Sequence, residues 1–406
     1  MKCAISSASR TGSSHPTNQD AFAADESLGT FIVCDGIGGH RGADVAAQLA
    51  ASSALEYLRK HSKALDGLRS GRTPSEKLAN LCSEAVMAAN SAVHSRAQAD
   101  ANLSGMGTTM AMVVIVGGYG VVAHAGSSRV YLCRNGQLIQ LTKDHRLSQE
   151  LVERGLFTEE KAAKLAYARA LSKAVGLLEA VTPDVVSLDV LPGDRFLLAT
   201  DGVTQALPKE ELQRLVSGPG GASAAEAIVQ AASERSLGDD ATAMIVAPTA
   251  GPQEAAAHTA RSEEVLLKTE SLQEMFLFHA LDAQAIVEIV QQSSIVHTRQ
   301  GEELFAQGSH EQNVFIILDG TFDVVVDGNS VAHLAKGSHF GEMSWLSHEP
   351  RSATVRCISD GTLLKVSASF LQSFILKSPE NGVRILRELA RELSSRLRAA
   401  NALAVK

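Results

Sequence analysis

The chain has 406 residues, 45% of them hydrophobic and 20% charged, the composition of an ordinary soluble protein long enough for two domains. Its formal net charge of −8 gives no general reason to expect nucleic acid as a partner. Cys3, Cys34, Cys82, Cys133 and Cys357 are odd in number, scattered and without a C-x-x-C pair, which favours free thiols in a reducing cytoplasm over a disulfide framework.

The opening MKCAISSASRTGSSHPTNQD holds no apolar run and does not read as a secretory signal. Phe31–Cys34 reads as a strand. Ala43–Lys60 reads as a helix with Val45, Leu49, Leu55 and Leu58 near one face, and Glu76–Ala99 as another. The uncharged stretch from Gly105 to Gly126 imitates a membrane span, but Gly117-Gly118-Tyr119-Gly120 interrupts it. It reads as two buried strands, Thr109–Val116 and Tyr119–Ala125, joined by a hairpin. Arg129–Cys133 and Gln137–Leu141 flank Asn135-Gly136, a two-residue turn signal. Helices are expected over His145–Arg154 and Glu159–Leu171, and strands over Arg195–Thr200 and Ala241–Ala247.

Pro248 to Glu264 is small, polar and irregular, and is expected to be a linker. A second unit follows it. A helix around Ser271–Gln291 leads into short strands with glycine turns between Ile295 and Val366. Ser378-Pro379-Glu380 then opens a closing helix to about Leu403, striped with Val383, Leu386, Ala390, Leu393, Leu397 and Ala400. That stripe fits core packing, a lid or pairing with another subunit. The domains expected are 1–247 and 265–406, with 248–264 between them. No DNA-binding helix-turn-helix is expected after the closing helix, so the reading is not that of a transcription factor.

Two apolar strands stop at Asp-Gly: FIVCDG delivers Asp35 and FLLATDG delivers Asp201. Asp239-Asp240 precedes a third strand, and TNQDAF supplies Asp20. A glycine-rich turn opening a helix can cradle a nucleotide phosphate, but neither G-x-x-x-x-G-K-[ST] nor G-x-G-x-x-G is present here. Any one Asp-Gly also makes an ordinary turn. Several carboxylates brought to one sheet edge stay ionised together only around a cation. Oxygen-only ligands suit Mg²⁺ or Mn²⁺ rather than zinc.

The series TNQDAF, FIVCDGIGGHRGADVA, GMGTTM, AGSSRVYL, LTKDHRL, DRFLLATDGV and GDDATAMIV, in order from Thr11 to Val246, resembles the metal-dependent serine/threonine protein phosphatases of type 2C. The resemblance implies a β-sandwich flanked by helices, with a two-metal centre at one end that activates water for in-line attack on phosphorus. By position it makes Asp35, Asp201 and Asp239 ligands, Gly36 a ligand through its carbonyl, and Asp20 a ligand through water or a support. Three positions depart from the pattern. His15 stands where an arginine usually meets the substrate phosphate, and it cannot make the bidentate fork. Ile37 stands where animal members carry a proton-donating histidine, for which His40 is a weak substitute. Ser127 stands where an aspartate would face a third metal.

In the second unit, Gly341-Glu342 followed by Pro350-Arg351-Ser352-Ala353 fits a small anionic ligand with a sugar: Arg351 for a phosphate, Glu342 for a ribose hydroxyl. From Leu272 to Leu403 this unit resembles the cyclic-nucleotide-binding domain of catabolite activator proteins and kinase regulatory subunits, which implies a β-roll with flanking helices. By that resemblance Gly341, Glu342, Arg351 and Ser352 bind the ribose-phosphate and Ala353 offers its amide. Cyclic AMP is favoured over cyclic GMP. The fold class expected is therefore α+β in two domains. The function expected is metal-dependent hydrolysis of phosphoserine and phosphothreonine in proteins, regulated by cyclic nucleotide. The alternative is a weakly active or inactive phosphatase fold that binds phosphoproteins under cyclic-nucleotide control. Neither a membrane nor nucleic acid is expected as a partner.

Overall fold

The structure, a computed structural model, describes residues 1–37, 42–69, 76–153, 156–165, 167–168, 170–218, 223–235, 238–249, 263–269, 271–272, 275, 278, 281 and 283–404. The chain divides into two units, Met1–Ala260 and Arg261–Lys406. Gly38, Gly39 and His40, and residues 250–262 of the expected linker, lie outside the described residues.

The strands of the first unit are β1 (Lys2–Arg10), β2 (Asp20–Asp25), β3 (Thr30–Asp35), β4 (Met110–Val116), β5 (Tyr119–Ala125), β6 (Arg129–Arg134), β7 (Gln137–Gln140), β8 (Asp184–Asp189), β9 (Arg195–Ala199) and β10 (Ala241–Thr249). They form two five-stranded antiparallel sheets, ordered β1-β10-β9-β6-β7 and β2-β3-β4-β5-β8. All seven residues of β4 are buried because both of its faces are covered. Met110, Met112, Val114 and Val116 pack under helices. The two-residue period turns Ala111, Val113 and Ile115 toward the other sheet. The same alternation splits β9: Leu197 and Ala199 face helices, so Phe196 and Leu198 fill the sandwich. This is the expected helix-flanked sandwich. The glycine-punctuated stretch is a hairpin, β4 to β5, and no described helix is long and apolar enough to cross a membrane. Asn135 and Gly136 both take positive φ, 50° and 75°, as the tight β6–β7 turn requires. The five cysteines are buried and unpaired.

The helices of this unit are α1 (Ala43–Lys60), α2 (Ser62–Arg69), α3 (Glu76–Ala99), α4 (Leu147–Glu153), α5 (Glu159–Ala163), α6 (Asp201–Thr204), α7 (Lys209–Ser217) and α8 (Ala224–Glu234). Two expectations need correction. The buried face of α1 is built from Ala43, Ala46, Ala47, Ala50, Ala51 and Ala54 with Leu55 and Leu58, while Val45 is exposed. Small side chains let α1 lie close against α3 and the sheet, so bulk was a poor guide to its inner face. The helix expected over Glu159–Leu171 stops at Ala163. The chain beyond turns back, and Ala170 O and Ser172 N bond to Leu147 N and His145 O, drawing Leu171 into a bridge with Arg146.

In the second unit, β11 (Ser293–Thr298), β12 (Glu303–Phe305), β13 (Val314–Asp319), β14 (Thr321–Val326), β15 (Asn329–Ala335), β16 (His339–Phe340), β17 (Thr354–Cys357) and β18 (Gly361–Val366) form two four-stranded sheets, β11-β18-β13-β16 and β12-β17-β14-β15. The rings of Phe305, Phe315, Phe322 and Phe340 meet at 5.3–5.9 Å in the core between them. The unit's helices include α9 (Ala283–Gln291), α10 (Glu342–Ser347), α11 (Ala368–Lys377) and α12 (Pro379–Ala404). Of the three readings of the α12 stripe, core packing does not hold: Val383, Leu386 and Leu397 are exposed, while Asn381, Ile385, Glu388 and Leu389 are buried.

Candidate functional site

Asp20 opens β2 and Asp35 closes β3, and the antiparallel register sets them directly opposite each other. On the other sheet, Asp201 follows β9 as the first residue of α6, and Asp239 stands just before β10. The four carboxylates therefore meet at one end of the sandwich, two from each sheet. Burial first, and then the neighbouring charges of Asp20, Asp201 and Asp239, push the Asp35 carboxyl well above the usual carboxylate range. Burial likewise pushes Asp20 up to about 7, against hydrogen bonds from Thr242 and Thr200 that pull it down. Asp239 is raised by burial and by Asp201. One oxygen of Asp20 accepts from the Thr200 hydroxyl at 2.8 Å, while Oδ1 is buried without a hydrogen-bond partner.

The glycines after both aspartates are demanded by space. A Cβ on Gly36 would lie 2.3 Å from Ala43 O and 2.8 Å from Gln19 O, and one on Gly202 would lie 1.9 Å from Asp240 O. The chain thus crosses itself tightly behind each acid, and the crossing fixes where the carboxylate points. Gly36 N also donates to Gln19 O at 3.0 Å.

A cavity of about 420 Å³ opens over this cluster, lined by Ser14, His15, Asp35, Gly36, Ile37, Ser127, Arg146, Asp201 and Asp239 among others. Asp20 lies behind it. His15 does reach the cavity, but its Nδ1 lies 3.0 Å from Asp240 Oδ2 and 3.8 Å from Asp239 Oδ1. Ser127 is buried at the cavity wall.

Two participants were not singled out from the sequence. Asp240 is buried and accepts from Gly12 N and Gln19 N, both at 2.7 Å, so it ties the loop carrying His15 to the start of β10. The doubled Asp239-Asp240 was its visible signal. Arg146 donates from Nη2 to Asp201 Oδ2 at 2.9 Å, and its Nε lies 3.5 Å from Asp144, which Arg129 grips bidentately at 2.7 and 2.8 Å. Its motif, LTKDHRL, was noted without a role for the arginine.

A separate trio, His124, His145 and Asp184, brings its ligand atoms within 4.8 Å of one another. Its hydrogen bonds favour an ion-pair network over a cation site. Gly126 N donates to His145 Nδ1, so the neutral ring carries its proton on Nε2, 3.2 Å from Asp184. Lys173 already neutralises Asp184 at 2.6 Å, and together they hold its carboxyl well below the usual range despite burial.

In the second unit the cassette residues lie together but differ in access. Arg351 is buried over the Phe305 ring, 4.0 Å from its centroid, and donates to Gly341 O and Ser344 Oγ at 2.8 Å and to Asn313 O at 2.7 Å. Burial lowers its pKa. Glu342 is buried at the start of α10; Ser352 is exposed and Ala353 half-buried. Gly341 takes φ +89°, and a Cβ there would strike Arg351 Nη1 and Asn313 O, both at 2.6 Å.

Comparison with known proteins agrees with both regions. A family model for protein phosphatase 2C matches residues 9–235, and one for the cyclic nucleotide-binding domain matches residues 295–378. The serine/threonine protein phosphatase PstP of Mycobacterium tuberculosis is 32% identical over 230 residues, 57% of this chain; the match spans only 42% of that relative's length. The crystal structure of the M. tuberculosis phosphatase PstP/Ppp is similar with a TM-score of 0.54 at 28% identity, covering 62% of this chain and all of that one. A PstP catalytic domain in complex with two manganese ions gives a TM-score of 0.52 at 27% identity, covering 61% of this chain and 99% of that one.

Proposed function

We propose that this chain, which belongs to the protein phosphatase 2C family, hydrolyses phosphoserine and phosphothreonine in proteins at the carboxylate cluster, and that cyclic nucleotide bound by the second unit adjusts turnover. The observation that carries the reading is the convergence of Asp20 and Asp35 from one sheet with Asp201 and Asp239 from the other. The residues fit divalent ions: the donor set is oxygen only, like charges crowd one another, and Asp20 Oδ1 is buried without a partner. Asp35, Asp201, Asp239 and the Gly36 carbonyl would hold two Mg²⁺ or Mn²⁺ ions, with Asp20 in support. The manganese-bound PstP neighbour supports this reading. Bound there, such ions supply Lewis-acid stabilisation of phosphoryl oxygens and lower the pKa of water.

The chain's own part is placement. Thr200 orients Asp20 through its hydroxyl, and Asp240 fixes the 12–19 loop that forms one cavity wall. The acids enter ready-made because tight backbone crossings, rather than side-chain rotamers alone, hold them.

In the second unit, Gly341, Glu342, Arg351, Ser352 and Ala353 are the residues proposed to bind the nucleotide. Three of the Arg351 N–H groups already have protein acceptors, while Nε is buried without one, so a ligand phosphate would meet a donor that the protein leaves unpaired. Cyclic AMP is the first ligand to test, with cyclic GMP beside it. Ser127 in the cavity wall, and His15 tied to Asp240, support the second reading of a slow phosphatase fold that chiefly binds phosphoproteins. Incubating the full chain with a phosphothreonine peptide, with Mn²⁺ or with chelator, and with either nucleotide or none, separates the readings. Metal-dependent phosphate release that changes with nucleotide is expected. Peptide binding without release would favour the second reading, and neither would end both.

A further inference from the structure

We infer that Arg146 is the residue that grips the substrate phosphate, in place of the arginine whose position His15 occupies; the inference rests on the phosphatase reading and names its phosphate-binding group. Among the described cavity-lining residues Arg146 is the sole lysine or arginine, so among them it is the one permanent side-chain cation facing that space. A phosphate monoester brings up to two negative charges into a pocket whose other ionisable groups, among the described lining residues, are three aspartates and a histidine. His15 is a poor anchor, because one of its two ring nitrogens is already engaged with Asp240 at 3.0 Å.

Arg146 has donors to give. Its only side-chain hydrogen bond among the described residues runs from Nη2 to Asp201, which leaves both Nη1 hydrogens and the second Nη2 hydrogen of a planar fork suited to two phosphate oxygens. It is also held in place. Asp144, fixed by the Arg129 fork, lies behind Nε at 3.5 Å, and the main chain of Arg146 bridges to Leu171, another residue of the cavity wall. A guanidinium held on both sides binds an anion with little loss of freedom. Asp201 has a second carboxylate oxygen, so the pair with Arg146 through Oδ2 and a ligand role through Oδ1 are compatible.

The experiment compares the full chain with Arg146→Ala and Arg146→Lys in three measurements: KM and kcat for a phosphothreonine peptide, calorimetric affinity for inorganic phosphate in Mn²⁺, and Mn²⁺ affinity from the paramagnetic resonance of free ion. Arg146→Ala is expected to raise KM and weaken phosphate binding at least about tenfold. Arg146→Lys, which keeps the charge and loses the fork, should fall between. Mn²⁺ affinity should hold or tighten, because a cation competing for Asp201 is gone. Unchanged KM and phosphate affinity with weaker Mn²⁺ binding would overturn the inference, leaving Arg146 as a positioning residue for Asp201. If the wild-type chain shows no turnover, the phosphatase reading fails, and the phosphate calorimetry still decides the role of Arg146.

Discussion

In the first unit burial crowds like charges together, Asp20, Asp35, Asp201 and Asp239, whereas in the second it encloses one cation, Arg351, with three protein acceptors and an aromatic ring. Both are buried ionic sites, and their balance is opposite. Among the described residues Arg146 is the one arginine or lysine paired with these carboxylates, and burial and repulsion raise the carboxyls of Asp20, Asp35 and Asp239. The guanidinium gives three hydrogen bonds to carbonyls and a hydroxyl, and its Nε is buried without a partner. A site of the first kind gains by taking up positive charge. A site of the second kind gains by placing an anion on the donors its protein acceptors leave over, with the guanidinium held in one orientation by the bonds it keeps. The contrast is open to direct tests.

The largest effect should come from removing charge where the cluster would hold metal. Asp201→Asn keeps the size and part of the hydrogen bonding but halves the site's ability to share an ion. Metal-assisted stabilisation of several kcal/mol is at stake, so turnover on a phosphothreonine peptide should fall about a hundredfold or more. Substantial activity at saturating Mn²⁺ would break the assignment.

The next largest should come from the enclosed cation. Arg351→Ala removes the donor to Asn313 O and Ser344 Oγ and one of the two to Gly341 O, which keeps the Ser344 hydroxyl, at a cost of about 3 kcal/mol to the second unit. Trp345 is the chain's sole tryptophan and is buried in that unit, so its fluorescence isolates the transition. Calorimetry on the same variant should show cyclic AMP binding lost or weakened tenfold or more, about 1.4 kcal/mol at the least. Retained stability would show that the three bonds matter little, and retained binding that the cassette has another phosphate anchor.

Much of both regions was legible in the sequence because strand ends and glycine turns are local signals. FIVCDG and FLLATDG each show an apolar strand, an acid and a glycine in six or seven residues, and the fold only had to bring them together. Less legible were features that depend on partners far along the chain. Strand β1 reads as a polar start, KCAISSASR, and exists because it pairs with β10 from Lys2↔Thr249 to Arg10↔Ala241. Arg146 gains its place through a bridge to Leu171 and a carboxylate 55 residues away. The stripe on α12 shows a different limit: a clear helical period marked a face, but periodicity alone does not say whether that face meets the core, a ligand or a partner.

A smaller effect concerns pH, and its sign follows from the raised carboxyls. Asp20 titrates at an ordinary 3.8 when unfolded and near 7 when folded. Between those values the folded chain holds more protons than the unfolded one, so stability falls as pH rises. The loss is absent below about pH 4, grows to about pH 7 and is then complete. The four tyrosines, Tyr57, Tyr119, Tyr131 and Tyr167, all lie in the first unit, so their near-ultraviolet signal follows it alone. Metal-free protein should melt lower at pH 7 than at pH 4.5 by this signal, and saturating Mn²⁺ should remove most of the difference. Asp35→Asn should flatten the metal-free profile as well. A metal-free profile that rises with pH would show that Arg146 and solvent already balance the acids.

The smallest expected effect belongs to Ser127, in the wall shared with Asp201 and Arg146. A serine hydroxyl is a neutral, weak ligand for a hard cation, so Ser127→Asp adds one anionic oxygen to the cluster. Two consequences oppose each other. The new charge attracts divalent ions, and it also repels Asp35 and Asp201 when none is bound. Because divalent charge outweighs single-charge repulsion once ions are present, the half-saturating Mn²⁺ concentration for phosphate release should fall severalfold, while the metal-free first unit should melt at a lower temperature at pH 7. The two shifts belong together. A lower melting temperature with an unchanged or worse Mn²⁺ curve would mean that Arg146, facing the same space, pairs with the new carboxylate and cancels it. In that case Ser127 and Arg146 form one electrostatic unit, and Ser127→Asp combined with Arg146→Ala should recover the lower metal requirement.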